Sequence, residues 1–451
     1  MIDASLRPEV KVDSTFASPI PPAAIRPEDV YAILSAHRWR TLSLAATVSV
    51  LTPVTDTIIL PALIALRGDL VDSTDDSDAA LVSVYMAAVG FSNLFWGPLS
   101  DNFGRRRPLG CCLVCFFVVT LACYWAPSAA ALLCARAAQG LIVSGTIAIT
   151  QGIVADTFPP EERGTATGLY FVPLLVGPIV SPVIGGALTS AFGWRSIFAF
   201  LSAAAPLLLV CVYFLPETLH RLCLGQAMAR AAPPCAMPWA PLYHLVDKEL
   251  APLILLGAVN FAVMFVTLTM LPHILASAPH FLSPAGVGAA YLPIGFAMMA
   301  GSVLGGRWSD AAAGRTPSEP TARLSPALKG AALLAPGAVA FGFAARYGNL
   351  PGLLIAHIVV GLGQSSFQPG LFSFLSAARQ EQSASVLAVA MALAFALAAA
   401  AISAAPPISS GTRIDGLFLI LAACQLMAGA GAVAQLWARG KYGAAREVEG
   451  K

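Results

Sequence analysis

Charge is what this chain has least of. Asp, Glu, Lys and Arg together make up 11% of its 451 residues, where a soluble domain carries about a quarter. They are missing altogether from five runs: Pro108 to Ala135, Gly164 to Trp194, Leu250 to Gly306, Tyr347 to Ala378 and Gln382 to Thr412. Each run exceeds the roughly 20 residues that cross a bilayer as a helix, and the mean hydropathy of +0.75 leaves too much apolar chain for a water-soluble core. The runs are rich in Ala, Leu, Gly and Val and lack the two-residue alternation of barrel strands, so helices are expected. Other absences exclude whole classes of chemistry. No G-x-x-x-x-G-K-[ST] phosphate loop, no H-E-x-x-H and no zinc-spaced Cys pair occurs, so neither an enzyme nor an ATP-driven pump is expected, and no cofactor or metal. The nine Cys lie in apolar runs or in the central loop, which gives no disulfide framework, and a net charge of +2 gives no footing for a nucleic-acid partner. The first forty residues are polar and Pro-rich, with no apolar stretch ahead of a cleavage site.

What is present is a count of twelve. Charged clusters and Pro/Gly turns divide the apolar chain into spans near 41–66, 79–99, 109–126, 129–154, 166–190, 196–215, 251–275, 284–306, 326–346, 351–376, 384–405 and 415–437. With the N-terminus in the cytoplasm, all but five of the 26 Lys and Arg fall in inside segments; the exceptions are Arg67, Arg195, Arg346 and Arg413 outside and Arg136 within a span. That asymmetry places both termini in the cytoplasm. The first outer loop is acidic, with Asp69, Asp72, Asp75, Asp76 and Asp78. The expected organisation is a disordered cytoplasmic tail over 1–40, six spans over 41–216, a central cytoplasmic loop over 217–250, six spans over 251–437 and a C-terminal tail over 438–451.

The two sets of six echo each other. Gly97-x-x-x-Asp101, ending in Gly104-Arg105, closes span 2, and Gly306-x-x-x-Asp310, ending in Gly314-Arg315, closes span 8. "LLCARAAQGL" (132–141) in span 4 aligns with "LLIAHIVVGL" (353–362) in span 10, which sets Arg136 against His357. Two parallel six-span repeats suit a carrier that rocks around a midplane site.

Three motifs stand in order along the first half. The turn after span 2 has Gly97, Leu99, Asp101, Gly104, Arg105 and Arg106, with Ser100 and Asn102 departing from G-x-L-A-D-R-x-G-R-[KR]. Span 4 has Arg136 followed by Gln139-Gly140. Span 5 runs Gly168, Gly177, Ser181-Pro182, Gly185-Gly186 against G-x8-G-x3-G-P-x2-G-G, with Ser181 the one departure. With these motifs the chain resembles the major facilitator superfamily and, within it, the twelve-span drug:proton antiporters of fungal type. The resemblance implies an all-α polytopic membrane protein of two pseudo-symmetric six-helix bundles, exchanging small molecules for protons by alternating access. It also implies that Asp101 and Arg105 join Asp156 in a conformational gate that latches the two bundles, with Asp310 and Arg315 as the repeat's counterpart.

The chemistry of single residues adds to this. A span crowded with small residues and Pro lets backbones approach closely, which makes span 5 a gasket. Arg136 lies inside a span, where an unpaired charge costs about 2.5–3.5 kcal/mol on insertion scales, and so requires an acceptor or a wet cavity. Its carboxylate partner is expected to be Asp56, some sixteen residues into span 1 in "LTPVTDTIILPAL"; a proton and a cationic substrate would compete for it. His357 joins them as a titratable group, since imidazole ordinarily titrates near pH 6.5. Asn93, Asn260, Phe261, Gln364 and Phe367, with Asp56 and Arg136, are expected to line the substrate site, the aromatics through stacking and cation–π contact; Tyr85 is a further lining candidate. The expected function is proton-coupled export of drugs, organic cations or polyamines, by a monomer in the plasma membrane or, second, the vacuolar membrane. Export of an organic acid or secondary metabolite is the alternative, because Arg136 and His357 suit an anion equally, and proton-symport uptake is a third reading.

Overall fold

The computed structural model describes residues 37–70, 75–158, 160–218, 245, 247, 249–315, 324–378 and 383–449. The expected N-terminal tail up to residue 36 and most of the central loop lie outside these, as do the side chains of Asp310 and Arg315, while the last residues given to that tail already belong to the helix that starts at Arg38. Among the described residues every regular element is a helix, and eleven stretches are long and apolar enough to cross a membrane. The last of them, Val386–Trp437, holds 52 residues and is two spans in one, which makes twelve.

Spans 2 to 7 are helices Asp75–Phe103, Arg106–Tyr124, Ala129–Thr157, Pro160–Phe192, Arg195–Tyr213 and Ala251–Ala276; spans 9 and 10 are Leu324–Arg346 and Leu350–Ala378. Spans 1 and 8 are broken. Span 1 runs Arg38–Ser49 and Leu51–Thr57, turns at Ile58 and Ile59, passes through a 3-10 turn at Leu60–Ala62 and ends as Leu63–Asp69. The break follows from Pro61, which has no N–H to offer the Thr57 carbonyl one turn back. Span 8 breaks between Pro284–Ala289 and Leu292–Arg315, and Pro293 stands four residues after Ala289 in the same relation.

Spans 11 and 12 depart from expectation. Pro406-Pro407 was expected to end span 11 near residue 405, but the helix runs through both, and the interruption falls at Arg413 (φ 68°, ψ 164°) within Ser383–Glu449. Proline's fixed φ is compatible with a helix. Ser409 and Ser410 cap the disturbed turn by donating to the Pro406 and Pro407 carbonyls, both at 2.9 Å.

The first six spans pack together, as do the last six, and the halves meet chiefly along two lines, span 2 with span 11 and span 5 with span 8, with the broken end of span 1 also touching spans 7 and 8. The second line brings backbone against backbone at two glycines. A β-carbon built on Gly186 would lie 2.3 Å from the Pro284 carbonyl oxygen, and one on Gly288 would lie 2.4 Å from that of Pro182. The Ala285 amide also donates to Ser190 Oγ at 3.0 Å across this seam. It lies at the end of the molecule away from the charged turn. Between spans 2 and 11 a cavity of about 510 Å³ opens along an almost wholly apolar wall.

Candidate functional site

The centre of the first bundle is built on span 4. Gly140 brings spans 2 and 4 together, since a β-carbon there would stand 2.5 Å from the Tyr85 carbonyl oxygen. That approach sets the Arg136 guanidinium over the Tyr85 ring, 4.0 Å from its centroid. Arg136 Nη1 donates to Gln139 Oε1 at 2.7 Å and to the Thr55 carbonyl at 3.4 Å. Gln139 Nε2 in turn donates to Thr120 Oγ1 of span 3 at 2.9 Å, which fixes the amide. The Tyr85 hydroxyl donates to the Thr52 carbonyl at 3.3 Å, and Thr52 Oγ1 donates to the Val143 carbonyl at 2.8 Å and stands 2.7 Å from Thr146 Oγ1.

Arg136 is fully buried and Asp56 is 6% exposed. Asp56 follows Thr55, whose carbonyl accepts from Arg136, yet Asp56 Oδ1 and Arg136 Nε and Nη2 are all buried without a hydrogen-bond partner. An acceptor and two donors thus stand open on the adjoining spans 1 and 4. Buried polar groups are nearly always satisfied, so a trio left open next to a helix break is a place that can take up something else.

The remaining expected site residues separate into groups. Phe261, Gln364 and Phe367 do come together, around a cavity of about 20 Å³ between spans 7, 10 and 11. That volume suits about one water. Asn260 is buried with both carboxamide atoms unpartnered, as is Gln364 Oε1. Asn93 is half-buried on span 2 and belongs to neither grouping. His357 does not join Arg136 and Asp56: it packs in the second bundle between Tyr291 and Phe341, with ring centroids 6.3 and 5.4 Å away. Neither of its nitrogens has a partner.

At the charged turn, Gly104 takes φ +91°, a left-handed conformation that glycine adopts freely, and the chain reverses there into span 3. Arg105 pairs with Asp101 at 2.7 Å and with Asp156 at 2.8 Å, and donates to Ser100 Oγ at 2.5 Å. Gly152 leaves room for it, since a β-carbon there would lie 2.7 Å from the guanidinium carbon. The two carboxylates hold the Arg105 side chain more firmly protonated than usual, against the opposing effect of its burial. Sequence reasoning missed Glu217, of the "LPET" segment after span 6: its carboxylate accepts from the Arg105 and Arg106 amides at 2.8 and 3.2 Å. All of these partners belong to the first bundle, joining spans 2, 3, 4 and the end of span 6.

In the span 5 motif, a β-carbon on Gly185 would meet the Ile58 carbonyl oxygen at 2.0 Å, while Gly168 has nothing within 4 Å. The close packing is confined to the second half of the motif.

The sequence pattern of the Major Facilitator Superfamily matches residues 45–406. The chain is a member of that superfamily. Members of that superfamily are transporters, not enzymes, and the matched stretch reaches through both bundles. Among curated relatives, the MFS antiporter QDR3 of Candida albicans is 34% identical over 172 residues, covering 38% of this chain and 24% of that protein. Citrate exporter 1 of Aspergillus niger is 28% identical over 335 residues, covering 68% of this chain and 62% of that protein. The chain thus spans about a quarter of the first and about three-fifths of the second. A crystal structure of a D-xylose-proton symporter superposes with a TM-score of 0.67 at 17% identity, covering 90% of this chain and 97% of that one, and has the same fold.

Proposed function

We propose that this member of the superfamily is a proton-coupled exporter of small organic cations, with Asp56 as the group for which proton and cargo compete. The observation that carries the reading is the buried, unpartnered Asp56 Oδ1 beside an Arg136 that keeps two unpartnered nitrogens. A largely buried carboxylate that closes no ion pair lowers its cost by binding a proton or an organic cation, and only one of these at a time. Proton binding from one side then drives cargo release, and cargo binding from the other drives proton release. Export is consistent with the antiporter relative and with the small-residue motif of span 5. The excess of Lys and Arg on one side supports cytoplasmic termini, and a monomer in the plasma membrane is the working assembly. The experiment is ethidium uptake into inverted vesicles under an imposed proton gradient. Gradient-driven uptake that disappears in Asp56→Asn supports the reading, and unchanged coupling in that variant overturns it.

A second reading has its own support. Arg136 Nε and Nη2 are donors awaiting an acceptor, and one relative is named a citrate exporter. Gradient-driven movement of labelled citrate, lost in Arg136→Gln and kept in Asp56→Asn, would favour an organic anion as cargo.

A further inference from the structure

We infer that Ser181 is a positioning residue that couples the Asp56 segment to the seam between the two bundles, an inference that rests on the carboxylate reading above. Ser181 is the one position where the span 5 motif departs from its usual glycine. Its side chain is not spare volume. It is 1% exposed, and its Oγ lies 2.6 Å from Thr57 Oγ1, across 124 residues of chain. Thr57 has one hydroxyl proton, which goes to the Pro53 carbonyl at 2.9 Å. The proton between the two hydroxyls is therefore supplied by Ser181, which donates to Thr57.

Thr57 adjoins Asp56 and is the last residue of its helix, at the break that Pro61 enforces. A broken end is the part of span 1 most free to shift when the carboxylate changes its occupant. On the other side, Ser181 adjoins Pro182, whose carbonyl oxygen would lie 2.4 Å from a β-carbon on Gly288 of span 8. One turn further, Gly185 packs on the Ile58 carbonyl of span 1 and Gly186 on the Pro284 carbonyl of span 8. The same turn and a half of span 5 thus touches the Asp56 segment with one face and the opposite bundle with the other. Close packing alone transmits a push. The hydroxyl pair adds a tether that also transmits a pull, and a glycine at 181 has none.

The test uses the full chain in lipid nanodiscs. Thr189, one turn beyond Gly185 and 6% exposed with an unpartnered hydroxyl, is replaced by Thr189→Cys, and the maleimide labelling rate of that thiol is read by peptide-resolved mass spectrometry. Asp56→Asn is expected to change this rate about five-fold or more, the lower range of coupling between distinct sites. The change is expected to shrink below about two-fold when combined with Ser181→Gly or Thr57→Val, as a double-mutant cycle, and to persist with Thr57→Ser, which keeps the hydroxyl. An equal effect of Asp56→Asn with and without Ser181→Gly overturns the tether while leaving the carboxylate reading in place. No effect of Asp56→Asn in any background overturns both.

Discussion

At matching positions in the two halves, span 4 carries Arg136 and span 10 carries His357, each beside a tyrosine from the preceding hairpin. Tyr85 lies under Arg136 and donates its hydroxyl to span 1; Tyr291 stands beside His357 and donates to the Leu268 carbonyl of span 7 at 2.5 Å. The scaffolds are alike and the third neighbours are not. Where Arg136 has Gln139, itself held by Thr120, His357 has Phe341. The first half has kept polar partners around its basic residue, and the second has closed aromatic rings around its own. In this duplicated frame the buried charge and its polar partners lie in one bundle, and an imidazole flanked by aromatic rings stands at the matching place in the other.

Substitutions can break or sharpen that contrast. The largest effect is expected inside the first bundle, where span 5 packs on span 1: Gly185→Leu puts a branched side chain where even a β-carbon would meet the Ile58 carbonyl at 2.0 Å. It should abolish ethidium transport, whereas Gly168→Leu, with open space, should leave it within about two-fold, as surface changes away from packed features do. Exchange of the paired residues comes next. Arg136→His loses the cation over Tyr85 and the bond to Gln139, and transport should fall about 100-fold, the loss that follows when a charge-assisted contact worth about 3 kcal/mol is removed. His357→Arg places a charge among Phe341 and Tyr291 and should lower the yield of folded protein on size-exclusion chromatography. Asp101→Asn removes one of the two carboxylates on Arg105; transport turnover should slow several-fold while ethidium binding, read by fluorescence anisotropy, is kept. The smallest effect is predicted for His357→Phe, with transport rates and their pH profile within about two-fold of the parent. A flattened pH profile in His357→Phe would return the second half to the coupling machinery and erase the contrast.

The membrane helices were readable because the evidence for them is a lack of charge over twenty or more residues, which nothing else in the chain counterfeits. Span boundaries were read well at Arg195 or Arg346, where a charge marks the edge. They were read poorly at Pro406-Pro407, where two helix-disfavouring residues sit inside a helix that breaks seven residues later at Arg413. Arg136 and Asp56 announced themselves as charges in apolar surroundings. Their company did not: a tyrosine in an apolar helix carries no mark that distinguishes a cation–π seat from packing, so Tyr85 passed as one lining candidate among several. His357 was placed by its repeat partner, which identifies a position and says nothing of Phe341, contributed by span 9. Ser181 was noticed as the departing position of its motif, but its pairing with Thr57 was beyond reach, because the meaning of two small hydroxyls lies in a meeting across 124 residues of chain.

At two places the joint between spans 5 and 8 is main chain on both sides, Gly186 to Pro284 and Gly288 to Pro182. At those two glycines there is nothing to trim. Any substitution there adds bulk, so chance variation at them acts as a wedge in one direction. Sequence drift at this joint is a ratchet toward the parted form, and a lineage that needed the closed form back could recover it only by true reversion or by a compensating retreat of the facing helix.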